Sequence, residues 1–258
     1  MLHMNPQPLN GFHSLSVIVL VVNETRTLTE TVNTIISVCG RNDLAEIIIC
    51  PAHFVTPACL SAASELCEKY REVPVSIHMQ TGSFEAAMKE LFQIVKGSHF
   101  IIQPADLEED PKMLSVFIKK CKEHPDAVIT GSRFLSKSSA RGFNFIKRTI
   151  ISVYHCFFKM LYAHRLTDTT FMYSAIPTSR INSLVLVEKS YSVLYEAFLK
   201  LLRTGVDVIE VPVEYHKSRE RKSKVKFFKD GLRYVQVLFR VRFAHIGSFG
   251  KGDDERAD

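Results

Sequence analysis

The sequence predicts an α/β protein: a mainly parallel sheet flanked by helices, with basic amphipathic helices towards its C-terminal end. Three observations carry the prediction. Short, largely β-branched runs read as strands covered on both faces, stretches with apolar residues at helical spacing separate them, and the β-α-β-α rhythm implies parallel pairing.

The first strand falls at residues 15 to 22, Leu-Ser-Val-Ile-Val-Leu-Val-Val. Asn23 and Glu24 then open a helix whose apolar positions Leu28, Val32, Ile35 and Ile36 recur at helical spacing up to Cys39, with Gly40 as its stop. A second strand follows at 46 to 50 and closes on Pro51. Helices at 57 to 70 and 84 to 96 flank a strand near 73 to 78, and Gly97 precedes the strand 99 to 103. Pro111 starts a helix at 111 to 123. After it come a strand at 127 to 130, the turn Gly131-Ser132-Arg133 and a polar loop with Ser136, Ser138, Ser139 and Gly142. A helix at 143 to 163, an irregular segment around Asp168, a helix at 189 to 203 and a strand at 206 to 215 complete the domain. The tail 224 to 243 interleaves Phe227, Leu232, Val235, Phe239 and Phe243 with Lys229, Arg233, Arg240 and Arg242, the pattern of a basic amphipathic helix. The expected organisation is an extension over 1–14, one domain over 15–223, the basic helix over 224–250 and a disordered tail over 251–258.

A chain of 258 residues with 46% hydrophobic composition can bury one substantial core. Its net charge is +6, concentrated between Lys217 and Lys229, which suits phosphates or anionic lipid. That stretch carries no nucleic-acid-binding motif, so nucleic acid is not expected as a partner. The six cysteines form no C-x-x-C pair and sit largely in apolar runs, as reduced buried thiols do, and no Cys/His cluster of zinc type occurs. Any metal site should therefore use oxygen ligands. The apolar runs 17 to 22 and 150 to 158 are shorter than the ~20 residues that cross a bilayer, and the first lacks a basic n-region and cleavage site. A cytoplasmic protein is the expectation.

In open α/β sheets ligands bind at the carboxyl ends of the strands, so the residues just after each strand are the informative ones. Here they are polar: Asn23-Glu24, then Ala105-Asp106-Leu107-Glu108-Glu109-Asp110, then Gly131-Ser132-Arg133. In order and spacing, Val21-Val22-Asn23-Glu24, Ala105-Asp106-Leu107, Gly131-Ser132-Arg133, Glu210-Val211-Pro212-Val213 and Ser223-Lys224 resemble the motifs of family-two glycosyltransferases of GT-A fold. Within that family the likeness is to polyprenyl-phosphate sugar synthases of the dolichyl-phosphate mannose synthase type. It runs from about residue 16 to 243.

The resemblance implies an inverting transferase that moves a hexose from a nucleotide sugar to a polyprenyl phosphate, with Mg2+ or Mn2+ neutralising the leaving diphosphate. It makes Asp106 and Glu108 the metal ligands, and Asn23, Glu24, Ala105, Asp106, Arg219, Ser223 and Lys224 the donor site. Asp106, Arg133 and Asp168 become the catalytic group, Asp168 lying in Leu166-Thr167-Asp168-Thr169-Thr170-Phe171. Arg133, with Arg148 and Ser152 one turn apart on the following helix, would grip the acceptor phosphate. Two departures stand out. Pro104 replaces the first acid of the family's D-A-D, and Cys50-Pro51-Ala52-His53 replaces its acids after the second strand. The same acids at 106 to 110 also suit a cap on the helix that begins at Pro111. Helix 143 to 163 and the basic tail fit a lipid interface, with a membrane-anchored partner subunit as a possible companion, or simple packing on the sheet. Two other functional readings stay open: transfer to a glycan hydroxyl with Asp168 as base, and a non-catalytic scaffold.

Overall fold

A computed structural model describes residues 11–80, 82–135, 145–214 and 227–250. Its strands are β1 (Leu15–Val21), β2 (Leu44–Pro51), β3 (Val75–Ile77), β4 (His99–Pro104), β5 (Val128–Ser132), β6 (Ser174–Pro177) and β7 (Val208–Pro212). They form one sheet in the order β3-β2-β1-β4-β6-β5-β7. Every neighbouring pair is parallel except those of β6, which runs antiparallel to both β4 and β5.

Alternation explains the continuous apolar strands. Val17, Val19 and Val21 of β1 face one layer with α1 (Arg26–Val38), α2 (Pro57–Lys69) and α4 (Leu114–Glu123). Ile18, with Ile48, Phe100 and Ile102, faces the other, built from α3 (Phe84–Ile94), α7 (Ser192–Arg203) and α8 (Phe227–Phe243). Two further helices, α5 (Phe145–Tyr162) and the short α6 (Thr178–Asn182), flank β6 in the chain. Each fully buried Val, Ile or Leu contributes about 1.5–3 kcal/mol relative to exposure, so both faces must be covered. Among the described residues no helix is long and apolar enough to cross a membrane.

Several local expectations are corrected. Gly131 and Ser132 are not a turn but the end of β5, paired with Val211 and Pro212 of β7. A Cβ on Gly131 would lie 2.9 Å from Val213 Cγ1, so the glycine serves close packing. Gly97 likewise answers to crowding, since a Cβ there would meet Ser16 N at 2.6 Å. Helix α1 starts at Arg26 and not at Asn23, because the Glu24 carboxylate folds back onto Val22 N and Asn23 N instead of capping it. The tail helix ends at Phe243, followed by a 3-10 turn at Ile246–Phe249.

The arginines of α8 turn inward. Glu196 of α7 is fully buried, and its Oε2 accepts Val187 N at 2.8 Å and Glu188 N at 2.7 Å. Its Oε1 meets Lys200 Nζ at 2.9 Å and Arg240 Nη2 at 3.2 Å. Glu188 takes Arg233 and Arg240 at 2.8 Å each. Arg203 donates to Val241 O near the end of α8 and, at 2.6 Å, to Ala244 O just beyond it, and Arg242 donates to Leu161 O of α5.

Two predictions arise here. Burial pushes the thiols of Cys39 and Cys121 up to about 12 and those of Cys50 and Cys59 to about 11, whereas Cys156 is exposed on α5. With iodoacetamide at pH 8, Cys156 is expected to be alkylated first and those four only after unfolding, as read by peptide mass spectrometry. Early labelling of Cys39 or Cys121 would contradict the core described here. The second concerns His99 at the start of β4, which is buried and whose Nε2 lies 2.8 Å from Pro125 O. Burial lowers its pKa, so its contribution is complete above the unfolded value and fades as pH falls below it. Urea denaturation should show a loss of up to about 1.4 kcal/mol per pH unit below about pH 6.5, and His99→Gln should lack that component.

Candidate active site

Because β1, β4, β5 and β7 run parallel, their carboxyl ends share one edge. The antiparallel β6 begins there, which brings the loop before it to the same place.

The acidic turn after β4 divides its labour. Asp106 is nearly buried and its Oδ1 accepts Glu108 N at 3.1 Å, across Leu107 at φ 59°. A left-handed leucine costs about 1–2 kcal/mol, so the turn is held in shape by its neighbours. Gln103 is one of them: its Nε2 donates to Glu109 O at 2.9 Å and Pro104 O at 3.1 Å, and its Oε1 accepts Tyr173 OH at 2.7 Å. Asp110 is the cap, its Oδ1 accepting Lys112 N at 2.9 Å at the 3-10 turn Pro111–Met113 ahead of α4. Glu109 turns inward. Its Oε2 is buried without a hydrogen-bond partner among the described residues, and its pKa rises to about 8, through burial first and then the charges of Asp106 and Glu108. Arg133 acts on it in the opposite sense, which puts the turn and Arg133 in one electrostatic neighbourhood.

Arg133 leaves β5 and meets Asp168 in a two-pronged pair: Nε to Oδ2 at 2.7 Å and Nη2 to Oδ1 at 3.0 Å. Arg133 N adds a third bond to Oδ2 at 3.2 Å, and Nη2 also reaches Thr170 Oγ1 at 3.1 Å. The guanidinium lies over the Phe171 ring, 4.6 Å from its centroid. The Asp168 side chain is wholly buried and that of Arg133 only 11% exposed. Thus both carboxylate oxygens are taken by donors. On α5, His155 Nε2 accepts Thr169 N at 3.4 Å, and burial, then the Arg133 and Lys159 charges, lower its pKa against the pull of Asp168.

Glu24 braces its own loop through Val22 N and Asn23 N, while Asn23 Oδ1 accepts Thr56 N at 2.8 Å, tying the loop after β1 to the start of α2. Ala105 is buried and donates its N–H to Leu20 O at 2.9 Å. Ser152 is exposed on α5, one turn before His155. The Arg148 side chain, and Arg219, Ser223 and Lys224 entirely, lie outside the described residues, as does the basic stretch around them. After β2, Pro51 and Ala52 are buried and His53 is exposed against Phe54. Sequence patterning alone does not point to two contributors, His155 and the role of Glu210. Their one signal was a polar residue inside an apolar element.

Asp106 and Glu108 supply two carboxylates to one patch, and their charges add to burial in raising the pKa of Glu109 beside them. Among the described residues no group of three or more His, Cys, Asp or Glu closes around an ion. Two carboxylates suit a hard cation that keeps waters and completes its shell with substrate phosphates.

The mixed sheet and its polar carboxyl edge are those of a GT-A fold, and the sequence match makes the protein a glycosyltransferase. The chain belongs to glycosyl transferase family 2, whose sequence profile matches residues 16–181. Glucosyl-3-phosphoglycerate synthase from Mycobacterium tuberculosis, solved with Mn2+, UDP and phosphoglyceric acid, is similar in fold at 13% identity and a TM-score of 0.64, over 89% of this chain and 78% of that one. The same enzyme with Mn2+, UDP-glucose and glycerol 3-phosphate gives 13%, 0.62, and 89% and 80%. A mycobacterial protein gives 12%, 0.64, and 89% and 74%.

Proposed function

We propose that this enzyme transfers a hexose from a nucleoside-diphosphate sugar to a polyprenyl phosphate, with inversion. The acceptor's phosphate oxygen forms a bond to the anomeric carbon as the bond to the diphosphate breaks, and the nucleoside diphosphate leaves. The single observation carrying the acceptor class is the state of Asp168. A hydroxyl acceptor needs a general base, and a carboxylate with both oxygens engaged by Arg133 and its own loop is poorly placed to take a proton. An anionic phosphate needs none. What it needs is positive charge to offset the repulsion between two anions, which Arg133, oriented by Asp168, and Arg148 would supply, with the Ser152 hydroxyl as a neutral donor.

On the donor side the similar structures hold UDP, UDP-glucose and Mn2+. By analogy Asp106 and Glu108 would hold Mn2+ or Mg2+, which when bound neutralises charge on the diphosphate. Asn23, Glu24 and Ala105 would shape the wall of the nucleotide site, with Arg219, Ser223 and Lys224 on the diphosphate. Lipid contact would fall to the exposed Val153, Phe157 and Met160 of α5 and Leu232, Val235, Phe239 and Phe243 of α8, at the cytoplasmic membrane face. Because Arg233 and Arg240 are paired with Glu188 and Glu196, this contact would rest on apolar area and on the basic stretch before α8.

The test is transfer from UDP- or GDP-hexoses with Mn2+ or Mg2+ to a polyprenyl phosphate in detergent, read by mass spectrometry of the lipid. No sugar on the lipid with any common donor sinks the acceptor assignment. With a phosphate acceptor, Asp168→Asn retains part of the rate, whereas total loss would support transfer to a hydroxyl.

A further inference from the structure

We infer that Glu210 of β7 is a positioning residue that sets the direction of the Arg133 guanidinium through the backbone of residues 167–168; only its catalytic consequence rests on the transferase reading above. Strand alternation puts Glu210 on the face of β7 opposite buried Val211, level with Thr130 of β5. An acid on that strand is half-buried, and its surroundings show what it does. Both carboxylate oxygens lie 2.9 Å from Thr167 N and 3.0 Å from Thr167 Oγ1, and Oε1 also lies 2.9 Å from Asp168 N. Ser132 Oγ closes the group at 2.6 Å from Thr167 Oγ1.

Between the end of α5 at Tyr162 and the start of β6 at Ser174 the chain has neither helix nor strand. Its N–H groups therefore lack a ladder to bind them, and the Glu210 carboxylate takes two in succession, those of Thr167 and Asp168. Holding the Asp168 amide from behind leaves the Asp168 side chain to extend the other way, into the fork of Arg133. The order of dependence is thus Glu210, loop, Asp168, Arg133. A carboxylate fits where an amide does not, because it meets two N–H donors and a hydroxyl with acceptors alone, while glutamine would turn one NH2 towards them.

The experiment compares wild type, Glu210→Gln, Asp168→Asn and the double variant, with Thr167→Val as a milder version that keeps the carboxylate. The substrate-free readout is exchange of the Arg133 Nε–H with solvent, followed by 15N NMR and assigned by its loss in Arg133→Lys. Wild type should show a protected signal, and Glu210→Gln should speed its exchange at least ~10-fold, as Asp168→Asn does, with Thr167→Val between, because a caged donor exchanges only when its cage opens. Wild-type protection in both Glu210→Gln and Thr167→Val would overturn the inference.

The second readout is turnover with UDP-glucose, Mn2+ and a polyprenyl phosphate. Glu210→Gln is expected to lower kcat by about 10-fold or more with KM for the donor within about 2-fold, and to cost less than about 2-fold further when Asp168 is already Asn. A purely architectural residue would give losses that multiply, and multiplying losses overturn the inference. If wild type transfers nothing to the lipid, the acceptor assignment fails on its own, and the Arg133 signal still decides the role of Glu210.

Discussion

Asp168→Asn is expected to lower stability by about 3–5 kcal/mol in urea denaturation, because it strips a buried charge pair of one member and leaves the other. Arg133 is almost as buried as its partner, and three of its donors, the backbone N, Nε and Nη2, are aimed at the lost carboxylate. An asparagine keeps the shape but presents one oxygen and an NH2 group to them. The control is Arg133→Met in the same chain. Removing both charges should recover a large part of the loss, since a well-packed apolar side chain over Phe171 replaces an unpaired ion. If Asp168→Asn alone changes stability by less than about 1 kcal/mol, the pair does not exist in solution as described.

The second large effect is expected at Glu196. Glu196→Gln leaves Lys200 and Arg240 short of a counter-charge and one of its two oxygens replaced by a donor facing two N–H groups or two cations. A loss of about 3 kcal/mol or more follows from breaking a buried ionic network, which corresponds to a fall of roughly 6–12 °C in Tm for a chain of this size. Its location is the sharper test. Hydrogen exchange should rise in α8, whose Arg233 and Arg240 are bound through Glu188 and Glu196, while β1 and β2 keep wild-type protection. Faster exchange spread evenly over the chain would refute a network that acts on α8.

The parallel core was readable in the chain because each of its strands is a closed statement. β1, β2 and β4 are buried on both faces, so their composition alone declares them. β6 could not be read that way. Ser174–Pro177 is four residues long, carries one β-branched side chain and ends in proline, and it owes its existence to the two strands that border it. Glu24 shows a different gap. An acid after a strand reads equally as a helix cap or a ligand group, and the backbone N–H groups it actually binds lie one and two residues before it. Arg133 and Asp168 each stand out in the sequence, but a pairing between positions 35 apart leaves no periodic trace. The sequence shows the arginines of α8 only as the basic face of an amphipathic helix for the same reason, since Glu188 and Glu196 stand on another part of the chain.

The reversed strand β6 also bears on when the molecule becomes whole. Among the described strands it alone joins the half-sheet β3-β2-β1-β4 to the pair β5-β7, through three residue pairs on one side and two on the other. During synthesis, then, the first four strands can assemble while β5 waits unattached, and the acidic turn and Arg133 are brought together only after residue 177 has emerged and turned back. Closing so long a connection is slow relative to forming local helices. The nascent chain therefore spends its vulnerable interval with the inner edge of β4 exposed, and that edge is the place where a chaperone or a stray strand would first take hold.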